Sequence, residues 1–141
     1  MYGKDVEVGV NGAIGAIGMN VVLELFQKKQ DLYGLKLVAV NDVLGKNVFI
    51  EKFNRLAKRK NLDLDARTFR GENEIIVGSS RSVGCIVTFF NEEKASKIPW
   101  REREVKIVEE CSGYYTGEEG KGDPRDHFRG GAERIIVSPL W

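Results

Sequence analysis

The sequence predicts a single α/β domain in which a mainly parallel sheet is flanked by helices. Three observations support this fold class. Short apolar segments alternate with segments of helical periodicity along the chain. A glycine-rich turn follows the first strand, and the second strand is an almost continuous apolar run, which is typical of a strand covered on both faces. The length suits one domain, so we expect residues 1–141 to form one unit.

The first 42 residues have the order strand, turn, helix, strand. Alternating valines at positions 6, 8 and 10 predict the first strand, and residues 35–40 predict the second, which ends at Asn41-Asp42. Between them, helical spacing predicts a helix from Ala16 to about Lys29. Its apolar face would comprise Ile17, Val21, Val22, Leu25 and Phe26. The pattern therefore predicts a βαβ unit.

The rest of the chain continues this alternation. Residues 48–60 predict a second helix, whose basic end at 58–60 we interpret as a solvated turn favoured by the helix dipole. Residues 62–73 indicate no definite element. Strands are predicted at 75–77, 85–90, 105–108 and 135–137, with a helical turn at Pro99-Trp100 and a short helix capped by Asp123.

Composition and charge exclude several classes of function. Lys and Arg total 22 and Asp and Glu total 21, so the net charge of +1 gives no general attraction to nucleic acid or anionic membranes. No apolar run is long enough for a membrane helix, and the first ten residues do not resemble a signal peptide. Two Cys and one His supply neither a disulfide framework nor a zinc site. We therefore expect a cytoplasmic protein without a metal.

The turn after the first strand has the pattern expected of a dinucleotide site. Gly12, Gly15 and Gly18 form G-x-x-G-x-x-G, one residue longer than the usual G-x-G-x-x-G. Glycines allow a tight turn and a close approach of pyrophosphate to the helix N-terminus. Asp42 closes the second strand, where an acid binds the adenosine ribose and favours NAD over NADP. These features predict a Rossmann-type NAD site, although a tight turn that binds nothing gives the same pattern.

Five segments resemble the N-terminal half of the glyceraldehyde-3-phosphate dehydrogenase family. V-G-V-N-G at 8–12 resembles the family's V-G-I-N-G, and L-V-A-V-N-D at 37–42 resembles V-V-A-V-N-D. I-P-W at 98–100 matches the family's I-P-W. V-E-E-C-S-G-Y-Y-T at 108–116 resembles V-V-E-S-T-G-V-F-T, and the segment at 127–138 resembles H-L-K-G-G-A-K-K-V-I-I-S. The order and approximate spacing agree along nearly the whole chain.

The resemblance implies which residues bind NAD. The family holds the pyrophosphate at the glycine turn and helix start and the adenosine ribose on an acid, and its S-T-G loop passes near the cofactor. The matching loop here comprises residues 111–113, with Tyr114 and Tyr115 beside it. The implied cofactor-binding residues are Asn11, Gly12, Gly15, Ala16, Ile17, Asp42, Ser112, Gly113, Tyr115 and Ser138.

Several positions depart from the family pattern. Family arginines are replaced at Ala16 and Met19, a third falls near Glu93, and Ala13 resembles an insertion in the phosphate turn. Loss of cations should weaken the binding of a dianionic cofactor. The family's nucleophilic Cys and base His come after the position that matches Ser138. We therefore expect the catalytic domain to be absent and this chain to be inactive alone, as a truncated member of a glycolytic enzyme family.

The remaining reactive residues favour structural roles. We expect Cys85 to lie in the core, Cys111 to be a packed or cofactor-lining thiol rather than a nucleophile paired with His127, and His127 to cap or pack at the surface. Glu109 and Glu110 are adjacent on a strand, so they point to opposite faces and cannot form an acid–base pair. Trp100 is interpreted as a packing anchor.

Alternative functions remain open. The missing arginines favour a degenerate paralogue, or a fragment, that acts as an interaction protein without a cofactor. In either case we expect a homodimer or a protein partner at the C-terminal edge, around Tyr114, Tyr115, Ile136, Leu140 and Trp141. Aspartate-semialdehyde-type dehydrogenases also use G-x-x-G-x-x-G turns, but the later motifs fit them poorly. Nucleic-acid binding through the same cleft is disfavoured by the charge balance.

Overall fold

A computed structural model describes residues 5–27 and 34–138. These residues form one seven-stranded sheet with flanking helices. The strands and α-helices are β1 (Val6–Asn11), α1 (Ala16–Gln27), β2 (Leu35–Asn41), α2 (Lys46–Arg59), β3 (Asp65–Thr68), β4 (Glu74–Ser79), β5 (Ser82–Phe90), β6 (Ile107–Glu110) and β7 (Arg134–Val137). Three 3₁₀ helices span Ala95–Lys97, Trp100–Arg103 and Pro124–Gly130.

The sheet has the order β3-β4-β5-β2-β1-β6-β7. The five neighbouring strands β5, β2, β1, β6 and β7 are parallel, while β3, β4 and β5 pair in antiparallel fashion at one edge. After β1 and β2 the chain forms β3 at the outer edge, returns through β4 to β5 beside β2, and then adds β6 and β7 on the other side of β1. The strand order therefore reverses between β1 and β6, which is where open α/β sheets bind ligands. The predicted α/β Rossmann-type fold is confirmed.

Each face of the sheet carries its own buried cluster. One cluster packs α1 and α2 onto the sheet and is built around Phe49, Phe53 and Leu23. The other packs the 3₁₀ helices onto the opposite face around Trp100 and Ile98. Trp100 is fully buried, as expected of a packing anchor. Within the described ranges, no helix is long and apolar enough to cross a membrane.

The buried face of α1 differs from the prediction. The helix buries Met19, Val22 and Leu23, whereas most of the predicted apolar face is only partly buried. The reason is the close approach of the helix to the glycine turn at Gly18, where a Cβ would overlap the carbonyl oxygen of Gly12. This contact rotates the Gly18–Val22 side of the helix toward the sheet. The helix is defined to Gln27, and the predicted end near Lys29 lies outside the described residues.

Three strands differ from the predicted pattern, and one of them is β5, which begins at Ser82 rather than Cys85. β3 lies in the segment 62–73, for which the sequence predicted no element. The apolar pattern of a strand is missing there because β3 buries a single residue, Ala66. Its position is set by antiparallel pairing with β4 and by Asn54 of α2, whose side-chain amide bonds both the N–H and the C=O of Ala66. β6 begins at Ile107 rather than Val105, since the Val105 N–H donates to the Trp100 carbonyl oxygen.

The short helix after Asp123 is confirmed. The Asp123 carboxylate accepts a hydrogen bond of 2.9 Å from the Arg125 N–H, and Pro124 occupies the first helical position. A proline there loses no hydrogen bond, because the first N–H groups of a helix have no partner inside it. Local sequence alone therefore determines this helix start.

Candidate functional site

A cleft of about 650 Å³ opens where β1, β2 and β6 end. Its volume is within the range of small-molecule and cofactor pockets, roughly 300–1,000 Å³. Six of the predicted cofactor-binding residues line it, namely Asn11, Gly12, Gly15, Asp42, Ser112 and Tyr115. The reversal of strand order thus brings the glycine turn, the acid after β2 and the loop after β6 to one place.

The other four predicted residues lie outside the lining of this cleft. Ala16 and Ile17 open α1 directly after the turn, and Gly113 follows Ser112 in the loop after β6. The Ser138 hydroxyl is 3.7 Å from the thiol of Cys111, which itself lines the cleft. Their contacts with a cofactor stay predictions.

The glycine turn packs directly against the loop after β6. Gly12 has a φ of +79°, which favours glycine, and a Cβ on it would lie 2.6 Å from the backbone nitrogen of Ser112. At Gly15 the nearest atom to a Cβ would be 3.7 Å away, so the turn is open toward the cleft there. Ala13 and Ile14, between the first two glycines of the turn, are both buried and pack into the core.

Asp42 connects the end of β2 to the glycine turn. Its carboxylate is 8% exposed and accepts hydrogen bonds of 2.8 Å from the Ile14 N–H and 3.0 Å from the Leu44 N–H, one on each oxygen. Each oxygen retains a second lone pair. The carboxylate can therefore brace the turn and still accept a hydroxyl from a ligand in the cleft.

Comparison with protein families agrees with this geometry. Residues 6–118 match the family model described as glyceraldehyde 3-phosphate dehydrogenase, NAD binding domain. The chain belongs to this family. NAD is thus the cofactor of the domain type to which it belongs.

Relatives extend the same similarity to most of the chain. The chain is 29% identical over 134 residues to glyceraldehyde-3-phosphate dehydrogenase of Clostridium pasteurianum, which covers 94% of the chain and 35% of that relative. It is 30% identical to glyceraldehyde-3-phosphate dehydrogenase 2 of Streptomyces avermitilis, again over 94% of the chain and 36% of the relative. The chain thus spans about a third of the length of the curated relatives that it matches.

The NAD-binding domain contributes a cation to the cleft that sequence reasoning missed. Lys52 of α2 lines the cleft, and its Nζ donates a hydrogen bond of 2.5 Å to the Ile14 carbonyl oxygen. Met19 and Glu93 lie where the resemblance implies arginines. Met19 is fully buried and Glu93 lines the cleft, so neither position supplies a positive charge. The one sequence feature that could have predicted Lys52 in the cleft is its position next to Phe53, which lies on the face of the helix that packs against the sheet.

A buried polar network binds the side chains of Asn11 and Ser112, which line the cleft. Glu110, at the end of β6, is 1% exposed. One carboxylate oxygen accepts from the Asn11 amide and contacts His127 Nε2, both at 2.7 Å, and the other accepts from the N–H and hydroxyl of Ser112, at 2.8 and 2.5 Å. Asn11 in turn accepts from Asn41 at 2.8 Å. The network therefore ties together the ends of β1, β2 and β6.

The protonation of this network follows from its donors. The Trp100 indole N–H, which can only donate, lies 3.0 Å from His127 Nδ1. Nδ1 is thus the acceptor, so the hydrogen of the neutral imidazole is on Nε2 and is donated to Glu110. Burial raises the pKa of Glu110, but hydrogen bonds from His127, Asn11 and Ser112 outweigh it and hold that pKa below its usual value. The prediction that His127 caps or packs at the surface is wrong, because it is fully buried.

The two cysteines have different environments. Cys111 is buried, as predicted, and burial raises the pKa of its thiol to about 11, with a smaller contribution from the charges of Glu109 and Glu110. Cys85 is only half-buried, contrary to prediction, because β2 pairs with β5 from Thr88 onward and Cys85 lies in the hairpin that extends beyond it. Among the described residues, no group of three or more potential ligands could hold a metal ion.

Alkylation is expected to distinguish the two thiols. At pH 8 a thiol with a pKa of about 11 is ionised in only about one molecule in a thousand, and the thiolate is the reactive form. After brief treatment of native protein with iodoacetamide, peptide mass spectrometry should therefore find the label mainly on Cys85. Unfolding in urea should make the two equally reactive. Preferential labelling of Cys111 in the native protein would show an activated thiol instead.

Proposed function

We propose that this domain binds NAD or a related adenine nucleotide in the cleft, more weakly than its arginine-containing relatives, and performs no dehydrogenase chemistry with its own residues. The observation that carries the proposal is the hydrogen bond from the Ile14 N–H to the Asp42 carboxylate, which holds this carboxylate against the glycine turn that leads into α1. A carboxylate at this position can accept ribose hydroxyls while the helix N-terminus faces phosphate. With two free thiols, a cytoplasmic location remains our expectation.

The residues present fit the binding of this cofactor. Asp42 can accept ribose hydroxyls, Gly15 leaves room for close approach, and the N-terminus of α1 can donate N–H groups to phosphate oxygens. Bound NAD would supply a hydride acceptor, but chemistry also needs a positioned nucleophile and base. Cys111 is buried, and both ring nitrogens of His127 are engaged by Trp100 and Glu110. These contacts support binding without catalysis.

Substitution of Asp42 tests the proposed site. In Asp42→Asn, hydrogen bonds from ribose hydroxyls to a charged acceptor become bonds to a neutral one, which should weaken NAD binding by about tenfold. Isothermal titration calorimetry with NAD measures the effect at a temperature where both proteins are folded. Asp65→Asn is the matched control, since Asp65 lies on β3 at the far edge of the sheet. The absence of any binding to the wild-type chain would refute the proposal.

A second candidate function is protein association through β7. This strand ends the sheet, and its Ile136 and Val137 are 50% and 39% exposed. An outer strand with exposed apolar residues is a template for pairing with another chain. The rest of the expected association surface is not continuous, because Tyr115 is buried, with its hydroxyl accepting from the Ala95 N–H. Leu140 and Trp141 lie outside the described residues.

Sedimentation velocity tests this second candidate. If β7 mediates association, Ile136→Ser should shift the protein toward the monomer, because an apolar contact is replaced by a hydroxyl that must be desolvated. Val83→Ser is the control, since Val83 is 88% exposed in the β4–β5 hairpin at the opposite side of the sheet. A wild-type monomer at all concentrations, or equal shifts in both variants, would exclude association through β7.

A further inference from the structure

We infer that the cleft recognises the nucleoside part of its ligand, the base and the ribose, and that phosphate groups add little to affinity. Its ligand class is thus adenine nucleosides and any compound that carries one, whether or not it is phosphorylated. This inference rests on the proposed function of the cleft and specifies which part of the nucleotide is bound.

The charges around the cleft do not favour phosphates. The lining residues include three carboxylates, those of Asp42, Glu92 and Glu93, and one ammonium, that of Lys52. A fourth carboxylate, Glu110, lies directly behind the lining and bonds Ser112. A dianionic pyrophosphate brought into this environment meets more negative than positive charge. A neutral nucleoside does not incur this repulsion.

The hydrogen-bond donors of the glycine turn are already engaged. The N–H groups of Gly12 and Ala13 both donate to the Asn41 carbonyl oxygen, at 2.9 and 3.3 Å, and that of Ile14 donates to Asp42. The Lys52 ammonium bonds the Ile14 carbonyl oxygen. Phosphate binding by a glycine-rich turn depends on backbone N–H groups directed at the anion. Here the start of α1 is the main source of such groups, and its partial charge is about half an elementary unit.

The features that bind a nucleoside are present in the same cleft. Three of its lining residues are large apolar side chains with half or more of their surface exposed, Val43 at 61%, Leu44 at 52% and Tyr114 at 50%. Exposed aromatic and aliphatic surface suits the face of a base, and stacking on an aromatic ring is tolerant of the base's identity. Asp42, immediately before Val43, can accept the ribose hydroxyls. Base and ribose thus have side-chain partners in the cleft, whereas the phosphates have mainly the start of α1.

A ligand series tests the inference. Adenosine, AMP, ADP and NAD are titrated into the full chain by calorimetry at constant ionic strength. We expect dissociation constants within about threefold of one another, because added charge and added contacts nearly cancel. In a site that binds phosphate through charge-assisted hydrogen bonds, each such bond raises affinity by about tenfold or more. ADP or NAD binding more than about tenfold tighter than adenosine would overturn the inference and leave the proposed function intact. Failure of all four ligands to bind would overturn both.

A charge variant gives an independent readout. In the double variant Glu92→Gln with Glu93→Gln, removal of two lining carboxylates should raise the affinity for NAD by about threefold or more while leaving that for adenosine unchanged. Glu102→Gln is the matched control, because this exposed carboxylate lies on the 3₁₀ helix Trp100–Arg103, outside the cleft lining. An unchanged ratio of NAD to adenosine affinity in the double variant would contradict the inference.

Discussion

Glu110→Ala is expected to lower the free energy of unfolding by about 3–5 kcal/mol, which is a large part of the stability of a small domain. The substitution removes the acceptor for His127, Asn11 and Ser112 together and leaves their donors buried without partners. In the described residues, every buried side-chain nitrogen or oxygen has a partner, so no alternative acceptor is idle nearby. Urea unfolding monitored by circular dichroism measures the loss.

The neighbouring residue is a matched control for this effect. Glu109 lies on the same strand but points to the other face, and burial raises its pKa. The folded protein loses stability when a carboxyl whose pKa is raised by folding ionises. Glu109→Gln should therefore leave the free energy of unfolding at pH 7 unchanged or slightly higher. If Glu109→Gln were as destabilising as Glu110→Ala, the network around Glu110 would have no special role in stability.

The contribution of Glu110 to the free energy of unfolding should depend on pH. The folded pKa of Glu110 is lowered from 4.5. Its contribution to stability is therefore present above the unfolded pKa and is lost as the pH falls through the lower folded value. Glu110→Gln should be less sensitive to acid than the wild type between about pH 5 and pH 3. Urea midpoints measured across this range provide the comparison, and parallel curves would contradict the assigned pKa direction.

Gly18→Ala is expected to unfold the domain or to lower its free energy of unfolding by about 3 kcal/mol or more. The added methyl would overlap the Gly12 carbonyl oxygen. Neither group can rotate away, because the carbonyl is backbone and the backbone fixes the position of a Cβ. The helix would have to separate from the turn, which would expose Met19 and Val22. Thermal unfolding of the purified variant, or its solubility if it does not fold, measures the outcome.

Gly15→Ala is the matched control for the glycine turn. A Cβ at Gly15 would make only an ordinary contact, with 3.7 Å to its nearest neighbour, so stability should change by less than about 1 kcal/mol. Because Gly15 lines the cleft, the same variant should still bind nucleotides less well. Equal destabilisation by alanine at both positions would show that the close approach at Gly18 is not the cause.

The sequence by itself determined the elements whose signals are local. Apolar periodicity identified β1, α1 and β2, and the glycine spacing followed by Asp42 predicted residues that line one cleft at the end of the first two strands. Asp123 and Pro124 defined a helix start, because a cap and a preset φ act within a few residues. Family motifs predicted the family along nearly the whole chain, and the match over residues 6–118 confirmed that family.

Only the tertiary structure decided the contacts between distant residues. Glu110 meets Asn11 across 99 positions and His127 across 17, because the strand order places β6 beside β1 and folds the last 3₁₀ helix back onto them. No periodicity distinguishes a histidine that will be buried against a carboxylate from one at the surface. Likewise, whether the Lys52 side chain reaches the cleft depends on the angle at which α2 packs onto the sheet. A one-dimensional pattern records which faces are apolar, whereas the partners of polar groups are fixed by where the fold brings those faces together.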